Sequence, residues 1–321
     1  MTRILVTGAA GQIGTELVPA LLERYGGAAV VATDIKDPVE PVPDGAEFRM
    51  LDCTDADAVD AVVADRGIDT IYHLAAILSA KAEGIPLEAW RVNMGGLYNI
   101  LEAARAHGCA VFTPSSIAAF GPGTPADPTP QETVQRPNTL YGVSKVAGEL
   151  LCDYYHTRFG VDTRGVRYPG LISYAAPPGG GTPDYALEIF HAALTDGRYT
   201  CYLEPHSQLD MMYMPDALRC AMELMDAPNS RLEHRNAFNV TAMQLTPSGL
   251  AEAIRVHIPG FEVLYDVNPA RQKIADSWPR RVDDRAAREE WGWQPEYDMA
   301  AMVQDMLIRL AERLDRTSPV S

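Results

Sequence analysis

Short apolar, β-branched runs punctuate the first two thirds of the chain: RILVT at 3–7, AVVAT at 29–33, EFRML at 47–51, DTIYHL at 69–74 and AVFTP at 110–114. Between them apolar residues recur at helical spacing, as at Leu17, Leu21 and Leu22. Strands alternating with helices are the pattern of βαβ units around a parallel sheet. A further strand is predicted at TRGVRY (163–168), and AFNV (237–240) is predicted to return to the same sheet. The segment 93–108 carries an apolar stripe of Leu97, Ile100, Leu101 and Ala104, closed by Gly108 as a C-cap. In the helix predicted over 141–159, Val143, Val146, Leu150 and Tyr154 line one face and Gly160 ends it.

After Tyr174 the pattern changes. AAPPGGGTPDY (175–185) is rich in Pro and Gly and reads as a loop crossing to another lobe, and helices dominate from Leu245 onward. The expected architecture is α/β: a doubly wound parallel sheet over 1–173 and 211–244, with a smaller, discontinuous C-terminal lobe over 174–210 and 245–315. Residues 316–321 form a tail. With 321 residues and 47% hydrophobic content, the chain supports such a core.

The formal charge of −16 repels phosphate backbones and anionic lipid, so neither nucleic acid nor membrane is an expected partner. No apolar window reaches the ~18 residues a membrane span requires, and the N-terminal apolar run is too short for a signal peptide. Cys53, Cys109, Cys152, Cys201 and Cys220 are odd in number and form no CxxC pair, which points to reduced, mostly buried thiols in a cytoplasmic protein. The seven histidines show no metal-ligand spacing, so no metal site is expected. Met211, Met212 and Met214 read as packing at the lobe junction.

Candidate chemistry begins where RILVT runs into Gly8-Ala9-Ala10-Gly11-Gln12-Ile13-Gly14 and a helix. Such a turn lets a pyrophosphate approach the backbone, and the helix N-terminus supplies amide donors. Asp34 ends the second strand, 20 residues after Gly14, where a carboxylate accepts from the adenosine ribose and repels the 2′-phosphate of NADP. NAD is therefore the expected cofactor; the alternative for Asp34 is a turn or helix-capping role. Asp52 either accepts from the adenine amino group or caps a helix.

Tyr141 and Lys145 stand four apart at a helix start and so share a face. A nearby ammonium, with the positive charge of an oxidised nicotinamide, is expected to lower the tyrosine pKa so that it takes a proton from a substrate hydroxyl. Ser116, 25 residues upstream after strand AVFTP, is placed to orient that oxygen, whereas Ser115 reads as a turn residue.

In this order, TGAAGQIG, HLAA (73–76), Asn93, SSIAAFG (115–121), YGVSK (141–145) and RYPGL (167–171) resemble the extended short-chain dehydrogenase/reductase family over essentially the whole chain. The resemblance implies a Rossmann domain with a C-terminal substrate lobe, and Ser116, Tyr141 and Lys145 as catalytic residues. It also implies cofactor contacts at Gly8, Gly11, Gln12, Ile13, Gly14, Asp34, Leu74, Ala75, Ala76, Asn93 and Tyr168, and a homodimer through helices at 95–107 and 141–159. Within the family, LAAILSAKAEG (74–84), GGGTPDYALEIF (179–190), DMMYMPDA (210–217) and the run 277–299 resemble the L-threonine 3-dehydrogenases. That similarity implies L-threonine contacts at Ser79 and Thr182. From the residues themselves, the loop Gly179 to Thr182, Gly181 included, runs into a helix whose amides suit a small carboxylate, and Trp278 is a candidate pocket wall. One rival is a sugar-nucleotide epimerase or dehydratase, which needs basic residues for a second pyrophosphate, with Arg231, Arg235 and Arg271 as candidates. The other is a non-catalytic NAD sensor, disfavoured by the intact Ser116, Tyr141 and Lys145.

Overall fold

The computed structural model describes residues 2–26, 29–39, 41–175 and 182–317. Six parallel strands form the central sheet: β1 (Arg3–Thr7), β2 (Ala29–Asp34), β3 (Ala46–Met50), β4 (Thr70–His73), β5 (Ala110–Phe112) and β7 (Thr163–Arg164), where β6 (Ser115–Ser116) precedes β7 in the chain. Their order is β3-β2-β1-β4-β5-β7. This is the doubly wound Rossmann order, which reverses direction beside β1 and opens a crevice at the carboxyl ends of the strands.

The run TRGVRY forms two strands where one was expected. β8 (Val166–Tyr168) is separated from β7 by Gly165, whose amide turns aside to donate to the Arg235 carbonyl at 3.1 Å. Beyond this break, β8 lies between β6 and β12 (Phe238–Asn239), so AFNV returns to β8 within a separate three-stranded ladder. A third ladder joins β9 (Gly170–Ile172), β11 (Leu209–Tyr213) and β13 (Met243–Leu245), and β10 (Arg198–Cys201) pairs with β14 (Glu262–Tyr265).

Helices α1 (Gln12–Tyr25) and α2 (Ala56–Arg66) flank the sheet, followed by the short α3 (Ser79–Gly84) and α4 (Pro86–Trp90). Next come α5 (Gly96–His107), α6 (Leu140–Phe159), α7 (Tyr185–Thr195) and α8 (Met214–Asp226). The chain closes with α9 (Pro247–His257), α10 (Pro269–Asp276), α11 (Arg285–Trp291) and α12 (Met299–Thr317). One apolar cluster packs α1, α8 and Trp291 of α11 against one side of the sheet. A second places Val59, Val63, Leu97, Ile100, Leu101 and Cys152 on the other side. A third gathers Phe190, Leu250, Ile254, Met302 and Met306 around Tyr185 and Tyr213.

Leu97, Ile100, Leu101 and Ala104 of α5 are all buried, as their spacing predicts. On α6 the apolar face has the opposite fate. Val143, Leu150 and Tyr154 are 41%, 62% and 53% exposed, and the helix buries Ser144, Gly148, Glu149 and Cys152 instead. Met211, Met212 and Met214 are wholly buried, and the five cysteines are free and buried. No helix among the described residues is long and apolar enough to cross a membrane.

Candidate active site

The turn after β1 is shaped by close packing. Gly8 has φ +73°, and a Cβ there would fall 2.7 Å from the Ala75 amide nitrogen. A Cβ on Gly14 would meet the Gly8 carbonyl oxygen at 2.4 Å. Both positions therefore require glycine, and α1 starts hard against the turn. Its N-cap, Gly11, offers no side-chain acceptor to the first-turn amides. Those donors face a cleft of about 270 Å³ lined by Gly8, Gly11, Gln12, Ile13 and Gly14 on one side. Free amides, the positive end of a helix dipole and a backbone cradle fit the pyrophosphate of a nicotinamide dinucleotide.

Asp34 is nearly buried beside this turn. Its Oδ2 accepts from the Ala10 amide at 3.0 Å and its Oδ1 from the Ile35 amide at 2.8 Å. Asp52 stands apart from the cleft, its Oδ1 accepting from the Thr54 amide at 2.9 Å and the Thr54 hydroxyl at 2.8 Å. These bonds hold its carboxyl below the usual range. The N-cap of α2 is Asp55, so the helix-capping alternative for Asp52 is incorrect.

The far side of the cleft holds the predicted chemistry. Thr139 caps α6 through the Gly142 amide, which puts Tyr141 in the first turn and Lys145 one turn later. Ser116, Tyr141, Lys145 and Tyr168 all line the cleft, as do Leu74 and Ala76. The Tyr168 hydroxyl donates to the Ala217 carbonyl at 2.6 Å. Lys145 Nζ donates to the Pro114 carbonyl at 2.7 Å and lies 5.4 Å from the centre of the Tyr141 ring.

Burial dominates the electrostatics that the chain's own groups set at Tyr141 and Lys145. Burial pushes Tyr141 up to about 12, opposed only in part by its hydrogen bond with Ser116. Burial also pulls Lys145 down to about 8, against the charge of Glu149. At both groups desolvation is the largest influence, and the positive charge of an oxidised nicotinamide would join these influences only when the cofactor is bound. His73, which lines a smaller cavity behind Lys145, shares a 2.7 Å hydrogen bond with the Thr7 hydroxyl, and burial drives it down to about 3, so it stays neutral.

Ala75 and Asn93 line a smaller cavity of about 40 Å³ behind Lys145, together with Leu74 and Ala76. The Asn93 amide holds both backbone groups of Ile77, at 2.7 and 3.1 Å, and donates to the Ser144 hydroxyl at 3.3 Å. It fixes the chain beneath the cleft.

Of the proposed substrate contacts, Ser79 and Trp278 line the cleft. Gly181 and the Thr182 side chain lie outside the described residues; the backbone of Thr182 opens a 3₁₀ turn. Two neighbours that sequence reasoning missed, Asp184 and Lys81, also line it. Asp184 stands two residues beyond Thr182, a spacing that would have nominated it. Ser115 is no simple turn residue: it sits in β6 and donates its hydroxyl to Glu149.

Arg231, Arg235 and Arg271 do not line the cleft. Arg235 pairs with Asp162, Arg231 donates to the Glu289 carbonyl, and Arg271 stacks 4.1 Å above the Tyr202 ring.

Comparison with known proteins agrees with this geometry. Residues 4–241 match the model of the NAD dependent epimerase/dehydratase family. An uncharacterized epimerase/dehydratase of Staphylococcus haemolyticus is 52% identical, covering 98% of this chain and 99% of its own length. Among solved structures, an L-threonine dehydrogenase from Clostridium difficile superposes with a TM-score of 0.95 at 52% identity, over 98% of each chain. The holo form of an L-threonine dehydrogenase from Cupriavidus necator gives 0.92 at 51%, over 96% of this chain and 99% of that one. The chain belongs to the NAD-dependent epimerase/dehydratase family, in its extended short-chain dehydrogenase/reductase form.

Proposed function

We propose that this protein oxidises the β-hydroxyl of L-threonine to 2-amino-3-oxobutanoate with NAD, as a cytoplasmic homodimer. The observation that carries this reading is the convergence of Ser116, Tyr141 and Lys145 with the glycine turn, Ser79, Asp184 and Trp278 on one cleft. Bound nicotinamide supplies the hydride acceptor. Ser116 orients the substrate oxygen, Tyr141 takes its proton, and Lys145 holds the nicotinamide ribose and stabilises the phenolate.

Asp184 supplies the carboxylate that a substrate ammonium requires, while Ser79 and Thr182 take the rest of the amino-acid head group. Trp278 packs with Ile117 and Phe120, giving that end of the cleft an apolar wall. The likeness to solved L-threonine dehydrogenases supports the substrate. Five free, buried cysteines support a reducing, cytoplasmic setting.

The curated relatives are named uncharacterized epimerase/dehydratases, which keeps in view a second reading within the family, a sugar-nucleotide epimerase or dehydratase. Against it, the arginines suited to a second pyrophosphate are engaged elsewhere. NADH production from a panel of L-threonine, other 3-hydroxy acids and UDP- or GDP-sugars separates the two. L-Threonine is expected to give the highest kcat/KM, and turnover of a nucleotide sugar without any of threonine would overturn the proposal.

A further inference from the structure

Glu149 lies four residues after Lys145 and eight after Tyr141, so the three follow one face of α6. Its carboxylate is buried and fully engaged. Oε1 accepts from the Ser115 hydroxyl and from Arg167 Nε at 3.1 Å, and Oε2 from Arg167 Nη2 at 2.9 Å and Gln135 Nε2 at 2.8 Å. Arg167 also donates to the Gln131 carbonyl and to Asn239 Oδ1.

Those partners matter because of where they sit in the sheet. Ser115 pairs with Arg167, and Ser116 with Tyr168, along the β6–β8 ladder. One carboxylate therefore ties the helix carrying Tyr141 and Lys145 to the two strands carrying Ser116 and Tyr168. Lys145 closes the same loop from above, through the carbonyl of Pro114.

We propose that Glu149 is a positioning residue. It locks Ser116 in register with Tyr141, and it places a fixed negative charge one helical turn from Lys145. The inference rests on the dehydrogenase reading of this cleft.

The titratable groups around the ammonium are Tyr141, Glu149 and Cys152 on its own helix and His73 at the end of β4. Burial keeps His73 neutral, and burial raises the Cys152 thiol and the Tyr141 phenol, leaving both protonated at neutral pH. Glu149 is the anion left facing Lys145, and its pull opposes the burial that would strip the lysine of its proton. Removing that charge also leaves Arg167 uncompensated, which pushes the ammonium in the same direction.

The test reads Lys145 directly. The purified full-length protein is acylated with acetic anhydride across pH, and modification of Lys145 is followed by peptide mass spectrometry. In Glu149→Gln, half-maximal reactivity is expected at a pH lower than in the native protein by about one unit or more, and Glu149→Asp, which keeps the charge, is expected to restore it. At neutral pH, kcat of Glu149→Gln is expected to fall by roughly tenfold or more with NAD binding nearly unchanged.

An unshifted lysine profile overturns the proposal, whether or not the melting temperature drops, because a structural staple alone would leave Lys145 untouched. Should Glu149→Gln fail to fold, Ser115→Ala keeps the buried ion pair and releases only the strand. It is expected to lower kcat without weakening NAD binding, and a native kcat there overturns the proposal. The lysine titration needs no substrate, so its result stands apart from whether L-threonine is oxidised.

Discussion

Tyr141 shows how far the environment of one residue departs from its motif. Four-residue spacing to Lys145 is legible in sequence, but the climb of the phenol to about 12 reflects burial, which spacing does not encode. A base so reluctant to ionise needs added positive charge at the ring, and its removal should be felt chiefly in turnover. Tyr141→Phe is expected to lower kcat by roughly 100-fold or more, with NAD affinity nearly unchanged in a separate titration; near-native turnover would make Tyr141 an ordinary helix residue. Asp34 has a double attachment. It already accepts from Ala10 and Ile35, and carboxylate oxygens keep lone pairs for a ribose. Asp34→Ala is expected to narrow the preference for NAD over NADP by about tenfold or more, since the repelling charge is gone, and to weaken NAD binding as the turn loses its Ala10 anchor. Equal kcat/KM for the two cofactors in the native protein would refute the assignment.

At the scale of elements, a titratable side chain of α1 feels charges carried by α12. Glu16 of α1 accepts from the Ser173 hydroxyl at 2.5 Å, just past β9, and senses Arg309 and Arg313 of α12. Burial is the largest influence and raises its carboxyl from 4.5 to about 7. The folded protein therefore binds this proton more tightly than the unfolded chain. The resulting stability is complete below pH 4.5, declines as pH rises to about 7, and is constant above that. Glu16→Gln keeps a neutral side chain at every pH, so its stability relative to native should grow between those limits and then level off. Urea unfolding of both proteins across this range checks it, and a constant difference would refute the shift. The apolar periodicity announced α1, yet nothing local to Glu16 signals partners 157 or more residues away.

At the scale of the whole molecule, α6 explains an apparent contradiction in its pattern. Val143, Leu150 and Tyr154 line one apolar face of the helix yet are exposed, with Tyr98 of α5 exposed nearby in the chain's other predicted interface helix. An apolar strip of this kind is the surface a homodimer through helices 95–107 and 141–159 would cover. Light scattering is expected to give twice the chain mass of 35.0 kDa, and Leu150→Glu, which places a charge in the strip, is expected to give one chain mass while the fold persists. A native protein that elutes at one chain mass would refute the dimer.

The sequence by itself determined the α/β alternation, the glycine turn, the Tyr141–Lys145 pair and the ends of α5 and α6. Each of these depends on residues close in the chain, where strand and helix periods and cap chemistry act directly. Tertiary structure decided the rest. It split TRGVRY at Gly165 because the backbone there turns to Arg235, and it committed Asp52 to Thr54 and away from a helix cap. It gave Ser115, Glu149 and Arg167 to one buried network, with partners 34 and 18 residues from Glu149. It also brought Asp184 to a cleft whose opposite wall begins at Gly8. Periodicity tells which face of an element is apolar; only the packed chain sets what that face meets, and so which charges are desolvated and which side chains converge.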